Sequence, residues 1–500
     1  MLLFKVMKKN DVLTFFYNSI RDNRHIEPYL YHLLTSVKGN ERANLHLLSV
    51  LYRLIGYTRD IIYGKGERRL SYMQVYMWYL FYPDLCLSSL QWFFYGKINL
   101  KTRKEGHPWG SWKDVKYLCQ YVYEKSGNMY HPIILSTISL LVMQLRYDVI
   151  SDAPSLAAKW VPREGKRFGW VNAIIAQAAY PKITKGGSEK SYRKAKMLLR
   201  KTVSTINRKL KTVQIDMCNG NWEDIEFKKV TSLTMQNNHA SFEKNAPKKM
   251  NQYINQVKQC TSTINAARCT LYGLVRAALH SNSEIVEIQW KEYIRKIHSM
   301  NYIPIVNVSS VMEHNSSHDL YVAIGLGIIV SEKNKGVFKD RLMVFSGEAY
   351  WLNLHGLTFA EKVKLAYSKM GGLENVYGPF KKIVEAFMHL NYSQDEVEKL
   401  NILLVSSRID YDKIRHIFQE ASFRDIPKIA FWNLWDCSRM PCESENKNVV
   451  FLSGQNPIAL NILSNNGKTK YEKTPWNQLL KLVDNDRYEC LDIYIRKKFS

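Results

Sequence analysis

The first 300 residues place their hydrophobic positions at the spacing of amphipathic helices. Apolar side chains recur three and four positions apart in residues 30–37 and again in residues 47–55, which is the period of one face of an α-helix. Glycine and proline residues interrupt this pattern at short intervals. For residues 10–150 we therefore predict a run of helices joined by short turns, in the manner of an α-solenoid, although no strict repeat period is present.

Residues 151–300 continue the helical pattern with one exception. The apolar spacing predicts helices at 153–160, 169–180, 191–210, 250–259 and 283–298. Residues 218–246 are polar and rich in asparagine, and they carry few apolar side chains at helical spacing. For that stretch we predict loops and short turns.

The pattern changes at residue 303, where short β-branched and apolar runs of the buried-strand type begin. Predicted strands lie at 303–308, 341–345, 402–405, 428–432 and 449–452, and predicted helices lie at 319–333, 359–368, 379–391 and 411–421. Strands that alternate with helices predict a parallel, doubly wound α/β sheet. The predicted organisation is a basic α-helical region (1–300), an α/β domain (301–465) and a C-terminal helical tail (466–500).

Composition and charge show where this folded chain could meet a partner. With 46% hydrophobic and 12% aromatic residues, the chain is too apolar to be disordered. Its net charge of +26 is distributed unevenly. Residues 1–300 hold 46 Lys and Arg against 22 Asp and Glu, whereas residues 301–500 hold 25 against 23. A partner attracted by charge is therefore expected to bind the helical region.

The densest basic cluster lies in residues 182–211, where only Glu189 opposes it. Such a density of cations repels itself unless a polyanion neutralises it, and a nucleic-acid backbone does so with release of condensed ions. A solvated, lysine-rich helix face is the alternative. The candidate nucleic-acid-binding residues are Lys182, Lys185, Lys190, Arg193, Lys194, Lys196, Arg200, Lys201, Arg208, Lys209 and Lys211.

A second, looser set of basic residues lies earlier in the chain. Further phosphate contacts are predicted for Lys65, Arg68, Arg69, Lys101, Arg103, Lys104, Lys113 and Lys116. Trp109 and Trp112 could stack on unpaired bases, but core packing around the turn at 106–110 is the favoured interpretation. The sequence Gly64-Lys65-Gly66 lacks the full phosphate-loop pattern and a preceding strand, so a helix–helix turn is expected there.

The carboxyl ends of the predicted strands carry polar side chains, and doubly wound sheets bind ligands at that edge. The runs that carry this pattern are IPIVNVSSVM, AIGLGIIVSE, DRLMVFSGEAYWLNLHG, PKIAFWNLWD and VVFLSGQNP. Together they resemble the von Willebrand factor A domain. In that family an Asp-x-Ser-x-Ser loop, a threonine and a second aspartate hold one divalent cation, because a hard cation requires oxygen ligands including a carboxylate.

The resemblance places the five metal-site positions on Asn307, Ser309, Val311, Glu374 and Ser407. Both expected aspartates are replaced, by Asn307 and Ser407, and Val311 has no oxygen in its side chain. Glu374 and the nearby Asp410 could rebuild a weak magnesium site. The favoured interpretation is a degenerate site that kept the fold and lost the metal, so no cofactor is predicted.

The helical part resembles the region that accompanies this domain in domain of unknown function 2828, a family of eukaryotes and large DNA viruses. The matching runs lie at 58–67, 110–118, 157–164, 192–210 and 218–229, and with the second domain the similarity covers most of residues 10–490. Helical repeats of the HEAT or TROVE kind followed by an A-like domain are also the layout of the Ro autoantigen family. That resemblance implies toroids that bind structured RNAs on a basic outer face and single-stranded ends through the hole.

The function expected from these features is that of a non-enzymatic RNA-binding scaffold. The alternative is a protein-interaction or virion-associated structural protein that offers the upper loops of its A-like domain to a partner. Motifs of zinc proteases, serine hydrolases, kinases and deaminases are absent from the sequence, and no small-molecule substrate is evident. Charged residues interrupt the amino terminus, and no apolar stretch reaches the roughly 20 residues of a membrane span. An intracellular, cytoplasmic location without membrane contact, with packaging in a virion as an option, is therefore expected.

Overall fold

The structure, a computed structural model, describes residues 7–96, 106–259, 266, 269–280, 284–315, 317–406, 409–435, 440–464 and 474–500. Within these ranges, helices alone precede the first strand. They are α1 (Lys9–Asn18), α2 (Ile26–Val37), α3 (Leu45–Arg59), α4 (Arg68–Phe81), α5 (Pro83–Ser89), α6 (Asp114–Ser126), α7 (Pro132–Ile150), α8 (Ala157–Trp160), α9 (Gly169–Ala179), α10 (Pro181–Thr184), α11 (Glu189–Leu210), α12 (Val213–Asn219), α13 (Ser232–Asn245), α14 (Pro247–Lys258), α15 (Leu271–His280) and α16 (Glu284–Ile294). The predicted helical region is confirmed.

The amino-terminal helices pack pairwise around aromatic and aliphatic side chains. Helix α3 is buried on nearly its whole surface from Leu48 to Arg59, and it lies against α4 and against the helix Glu489–Phe499 (α24) of the C-terminal tail. Helix α7 is long and apolar enough to pass a length and composition test for a membrane span. Its buried stripe, which includes Ile134, Ile138 and Leu141, packs against α6 and α9 in the manner of a core helix.

The prediction of loops and short turns for residues 218–246 is wrong, because α13 spans most of the second half of that stretch. Its stripe is sparse, since Met235 and Phe242 lie seven positions apart. They complete a small separate core with Phe227, Met250 and Tyr253 from outside the helix. A helix that buries one residue every second turn gives almost no periodic signal in a polar sequence.

The carboxyl-terminal part contains a six-stranded sheet in the order β3-β2-β1-β4-β5-β6. The strands are β1 (Ile303–Asn307), β2 (Arg341–Phe345), β3 (Ala349–Asn353), β4 (Asn401–Val405), β5 (Lys428–Asn433) and β6 (Val449–Ser453), and the helices among and after them are α17 (Ser310–Asn315), α18 (Ser317–Lys333), α19 (Phe359–Tyr367), α20 (Gly378–His389), α21 (Gln394–Lys399), α22 (Tyr411–Glu420), α23 (Pro475–Val483) and α24 (Glu489–Phe499). The five predicted strands are confirmed and are parallel to one another. Strand β3, which pairs antiparallel with β2, was not predicted.

Both faces of the sheet are covered, which is why its central strands read as continuous apolar runs. In β1, Ile305 belongs to the core shared with α20 and α22, whereas Val306 faces the core shared with α18 and α19. Strand β1 pairs with β2 on one side and β4 on the other. Successive strands are therefore added on one side of β1 up to β3 and on its other side from β4 onward, and the carboxyl ends of the parallel strands β1 and β4 flank this switch point.

The helical region and the sheet are held together at the carboxyl ends of β5 and β6. Asn433 at the end of β5 donates a 2.9 Å hydrogen bond to the carbonyl oxygen of Tyr17. Asn456 donates one of 2.7 Å to the carbonyl oxygen of Gly64. Beyond Gly454 the chain forms a short 3-10 helix, Pro457–Leu463. The tail helices α23 and α24 pack on α3.

Candidate nucleic-acid interface and sheet edge

Helix α11 carries most of the predicted basic cluster. The hydroxyl of Ser188 caps its amino end by accepting a 3.2 Å hydrogen bond from the N–H of Ser191. Its apolar stripe consists of Ala195, Leu199 and Ile206, which are buried, and the helix packs chiefly against α9. Because this stripe is narrow, the remaining surface of the helix is left to polar and basic side chains.

The eleven predicted nucleic-acid-binding side chains lie on α11 and its immediate flanks. Lys196 is half-buried, and the other ten are exposed. The exposed members are Lys182, Lys185, Lys190, Arg193, Lys194, Arg200, Lys201, Arg208, Lys209 and Lys211. Helix α11 has 22 residues and is about 33 Å long at the usual rise per residue, so the cluster forms an extended row of cations.

Few carboxylates neutralise this row. The ion pairs join Arg193 to Glu189 at 2.5 Å, Lys196 to Glu164 at 3.3 Å and Arg200 to Glu164 at 3.9 Å. Lys209 donates to the carbonyl oxygens of Val149 and Ser151. The other seven members form no salt bridge with any residue that the structure describes. Most of the positive charge on α11 is therefore available to an external anion.

Lys65, predicted to contact phosphate, is buried instead. Its ammonium group donates hydrogen bonds to the carbonyl oxygens of Phe16 and Ser19 at 2.6 and 2.8 Å. A third hydrogen bond of 2.7 Å reaches the hydroxyl of Ser453 at the end of β6. The prediction for Lys65 is therefore wrong, because its ammonium group is buried between the helical region and the sheet. Nothing in the local sequence distinguishes such a buried lysine from an exposed one. The turn predicted at 64–66 lies between α3 and α4, as expected.

The remaining members of the second basic set differ in exposure. Arg69 is exposed, while Arg68, Lys113 and Lys116 are half-buried beside aromatic rings. Predicted contacts at Lys101, Arg103 and Lys104 lie outside the described residues. The tryptophans of the turn, Trp109 and Trp112, are only 3% and 8% exposed, which confirms that they pack in the core.

At the switch point of the sheet, two of the predicted metal-site residues meet in a hydrogen-bonded pair. The side-chain amide of Asn307 donates a 2.6 Å hydrogen bond to Oε1 of Glu374. The same carboxylate oxygen accepts a 3.1 Å hydrogen bond from the hydroxyl of Ser406. Oδ1 of Asn307 accepts from the N–H of Ser309 at 2.9 Å. These partners fix the orientation of the amide, because its nitrogen faces an acceptor and its oxygen faces a donor.

The other predicted metal-site positions do not join this pair. Val311 lies on α17 and is 36% exposed, and Ser407 lies outside the described residues. Asp410, which the sequence offered as a substitute ligand, instead caps α22 by accepting a 2.9 Å hydrogen bond from the N–H of Asp412. The hydroxyl of Ser309 is buried, and the described residues give it no hydrogen-bond partner.

The oxygen donors at this edge do not fit a hard divalent cation. Such a cation takes about six oxygen ligands, usually with more than one carboxylate. Glu374 supplies the carboxylate here, and its Oε1 already accepts hydrogen bonds from Asn307 and Ser406. No group of three or more His, Cys, Asp and Glu that could hold a metal occurs among the described residues. The amide–carboxylate pair joins β1 to the loop before α20.

Replacing Asn307 with aspartate is expected to lower the free energy of unfolding by about 1–2 kcal/mol, because two carboxylates would then face each other at hydrogen-bonding distance. Urea unfolding with chelator and with 5 mM magnesium chloride measures the change. Magnesium is expected to restore the free energy of unfolding of the variant, because the second carboxylate provides the negative charge that the natural site lacks.

Asn353→Asp is the matched control, since it adds the same charge at an exposed position on the edge strand. We expect magnesium to leave the free energy of unfolding of this control unchanged. A saturable stabilisation of the natural protein by magnesium would contradict the degenerate site.

Arg21 of the helical region lies near Asp319 at this edge of the sheet. Asp319, in the first turn of α18, accepts a 3.1 Å hydrogen bond from Gln455. Burial raises the pKa of Asp319 to about 6, and the hydrogen bond from Gln455 and the guanidinium of Arg21 oppose that shift. Arg21 itself pairs with Glu67 at 3.0 Å.

Sequence reasoning missed the partners that complete both candidate sites. Ser406, whose hydroxyl donates to Glu374, was not predicted, and only the register of β4 could have identified it. Tyr117, Trp160 and Phe168 surround the ammonium group of Lys116, but they come from three separate segments. Their aromatic character was visible in the sequence, whereas their convergence depends on tertiary packing.

Comparison with known proteins finds two family models along the chain, neither of which covers the predicted DUF2828 runs at 58–67 and 110–118. Residues 141–302 match the family model described as domain of unknown function DUF2828. Residues 301–490 match a second one, domain of unknown function DUF7788. The chain is 23% identical over 496 residues to "Uncharacterized protein L728" of Acanthamoeba polyphaga mimivirus, with 89% of this chain and 80% of that protein covered. The chain is thus similar to DUF2828 and DUF7788 in successive segments and, along most of its length, to a giant-virus protein.

Proposed function

We propose that this chain is an RNA-binding scaffold and that α11 contacts the phosphate groups. The observation that carries the proposal is the basic cluster on α11 and its flanks, in which ten of the eleven side chains are exposed and eight form no salt bridge with the described residues. A row of this kind binds polyphosphate chains through release of condensed counterions, without a need for base recognition.

The proposal includes a layout like that of Ro-type ribonucleoprotein proteins, with a von Willebrand A-like sheet domain. The strand order and the antiparallel edge strand support the A-like assignment, and the helical region supports the layout. In this proposal the helical region binds RNA, while the sheet domain, with an amide–carboxylate pair at its switch point, acts without catalysis or metal.

Replacing Lys190, Lys194 and Lys201 with glutamine is expected to weaken RNA binding about 10- to 30-fold at 100 mM salt. Three lost phosphate contacts should also make the slope of log K against log salt shallower by about 2. Fluorescence anisotropy with a labelled RNA, titrated from 50 to 300 mM potassium chloride, measures both quantities.

Two controls separate this surface from a general effect of charge. Lys339, Lys381 and Lys399 are exposed lysines of the sheet domain, and their replacement with glutamine changes net charge equally but should leave binding unchanged. Glu164→Gln should strengthen binding two- to threefold, because it frees Lys196 and Arg200. Equal losses from the two triple variants, or no RNA binding by the natural protein, would overturn the proposal.

A second candidate function is a protein-interaction scaffold, including a virion-associated one. An exposed apolar row on α7 favours it, with Leu135, Met143, Tyr147 and Ile150 at 40%, 60%, 63% and 79% exposure. Such a row is unusual on a surface that faces only water. The anisotropy experiment discriminates between the two functions, because this one predicts no salt-dependent RNA binding.

A further inference from the structure

Three aromatic rings and four cations meet beside the amino end of α6. The ammonium groups of Lys113 and Lys116 lie 5.1 and 5.0 Å from the ring centre of Trp160. Further contacts are those of Lys116 with Tyr117 at 5.5 Å and Phe168 at 5.6 Å, Arg68 with Tyr117 at 5.5 Å, and Arg167 with Phe168 at 5.3 Å. We call this group the ring–cation cluster.

The positive charge of the ring–cation cluster is poorly balanced. Burial lowers the pKa of Lys113, and the nearby Arg68 and Lys116 lower it further. The pKa of Lys116 is lowered by burial and by Arg68. Within the described part of the chain, neither lysine forms a salt bridge. Asp114 lies between them in sequence, but its buried carboxylate pairs with Arg59 at 2.7 Å and with Arg68 at 3.5 Å, so the two lysines are the cations left without an acidic partner.

The helix ends at this place make the cations still less favourable. Arg68 is the first residue of α4, and Lys113 and Lys116 lie just before and within the first turn of α6. Backbone N–H groups at a helix amino end produce a positive potential that attracts anions and repels cations. Lys113 and Lys116, which have no acidic partner in the described part of the chain, therefore indicate a site for an external anion at the amino end of α6.

Covering of apolar surface is the ordinary reason for a lysine over an aromatic ring. That role does not explain why two ammonium groups share Trp160 while a third cation depresses the pKa of both. A bound anion would neutralise the two ammonium groups and attract them away from Trp160, which would leave the face of its ring free for stacking. The combination of half-buried π-faces with unbalanced cations matches what an unpaired nucleotide offers, namely a flat base and a phosphate.

The cluster is also continuous with the basic row of α11. Phe168 and Arg167 end the segment 162–168, and Glu164 of the same segment pairs with Lys196 and Arg200 of α11. A polyanion on α11 therefore needs to cross only this segment to reach Trp160.

We infer that the ring–cation cluster binds an unpaired segment of the RNA, with a base on Trp160 and its phosphates on Lys113 and Lys116. This inference rests on the proposed function, to which it adds a preference for single strands over duplexes. An acidic peptide would satisfy the cations but leave the rings without a stacking partner.

The test compares three probes: a 15-nucleotide uridine oligomer, an RNA duplex of equal length and inorganic polyphosphate. Trp160→Leu is expected to weaken binding of the oligomer about tenfold, since one base stacked on an aromatic ring contributes about 1–3 kcal/mol. Binding of the duplex and of polyphosphate should change less than twofold. Replacing Lys113 and Lys116 with glutamine should weaken oligomer binding and make its salt slope shallower by about 1.4.

Trp160→Phe should restore oligomer binding, because it keeps a stacking face. Trp351→Leu is the matched control, since Trp351 is 38% exposed on β3 of the sheet domain. Circular dichroism verifies that each variant is folded. If Trp160→Leu does not fold, the variant with Lys113 and Lys116 replaced still tests the inference. Equal losses on all three probes would overturn the inference, as would unchanged oligomer binding by a protein that still binds RNA through α11. If the natural protein binds none of the probes, the proposed function itself fails.

Discussion

Replacing Asp114 with asparagine is expected to lower the free energy of unfolding by about 3–5 kcal/mol, because it leaves a buried arginine without its counter-charge. Asp114 accepts hydrogen bonds from Nε and an Nη of Arg59 at 3.0 and 2.7 Å. It also accepts from the hydroxyl of Tyr72 and from the N–H of Ser111, the latter at 2.7 Å. Arg59 and Asp114 are 1% and 0% exposed at their side chains, so water cannot replace any of these partners.

Urea unfolding at pH 7 measures the loss, and two variants control for its cause. Asp84→Asn removes an exposed carboxylate that pairs with Lys498 on the surface, and it should leave the unfolding midpoint unchanged. The double variant Arg59→Met with Asp114→Leu removes both charges, so it should be more stable than Asp114→Asn. A double variant no more stable than the single one would show that packing, not charge, dominates this site.

Lowering the pH should weaken the same interaction between Asp114 and Arg59. Burial raises the pKa of Asp114, but Arg59, Tyr72 and Arg68 outweigh burial and hold that pKa below its ordinary value. The unfolded chain therefore binds a proton more readily than the folded one, and the contribution of the carboxylate is lost as pH falls through the folded pKa. Between pH 5 and 3 the natural protein should lose more stability than the double variant.

The Asp114 site also connects stability with the proposed function. Asp114 begins α6, and Lys113 and Lys116 of the ring–cation cluster flank it. Its buried pair with Arg59 fixes the helix end from which both lysines extend. The sequence run Gly-Ser-Trp-Lys-Asp in residues 110–114 thus combines a structural carboxylate with a neighbouring binding residue.

The sheet could be predicted from sequence because its central strands are buried on both faces. Every residue of β1 is buried, and such a run of β-branched residues has few other interpretations. Strand β3 was missed because it lies at the edge and buries only Ala349 and Leu352 of its five residues, a spacing of three that gives no period-two signal. Its pairing with β2 depends on the turn at 346–348, which the strand itself does not encode.

The candidate sites were predictable to the extent that local sequence defines them. Most of the basic row lies on one helix, α11, so its charge and its position on the helix surface could be predicted together from the sequence. Asn307 and Glu374 are 67 residues apart, and only the resemblance to a known domain placed them near each other. Lys65 could not be assigned from sequence, because burial depends on the packing of Ser453 and Phe16 around it.

Lys65 itself occupies the junction between the helical region and the sheet. Its three hydrogen bonds join the end of α1, the turn before α4 and the end of β6. Gly454 lies directly over its stem, with the position of an added Cβ 3.4 Å from Cγ of Lys65. A methionine fits the same space but leaves the carbonyl oxygen of Ser19 without this donor.

Replacing Lys65 with methionine is therefore expected to lower the free energy of unfolding by about 3 kcal/mol at pH 9, through lost hydrogen bonds to buried acceptors. The loss should shrink as pH falls. Burial lowers the pKa of Lys65 to about 7, and the Glu67 carboxylate opposes that shift. Between pH 7 and 10 the unfolded chain thus binds more protons than the folded one, and the stability of the natural protein rises with pH by about 1.4 kcal/mol per unit from this group.

Urea unfolding of both proteins at pH 7, 8 and 9 tests the prediction, because the methionine variant lacks the titrating group. The difference between the two free energies of unfolding should grow with each step in pH. Lys381→Met, at an exposed position on α20, serves as the matched control and should show a constant difference. A pH-independent loss at Lys65 would mean that its ammonium group stays charged in the folded protein, held by its three acceptors. The junction would then depend on a buried cation at every physiological pH.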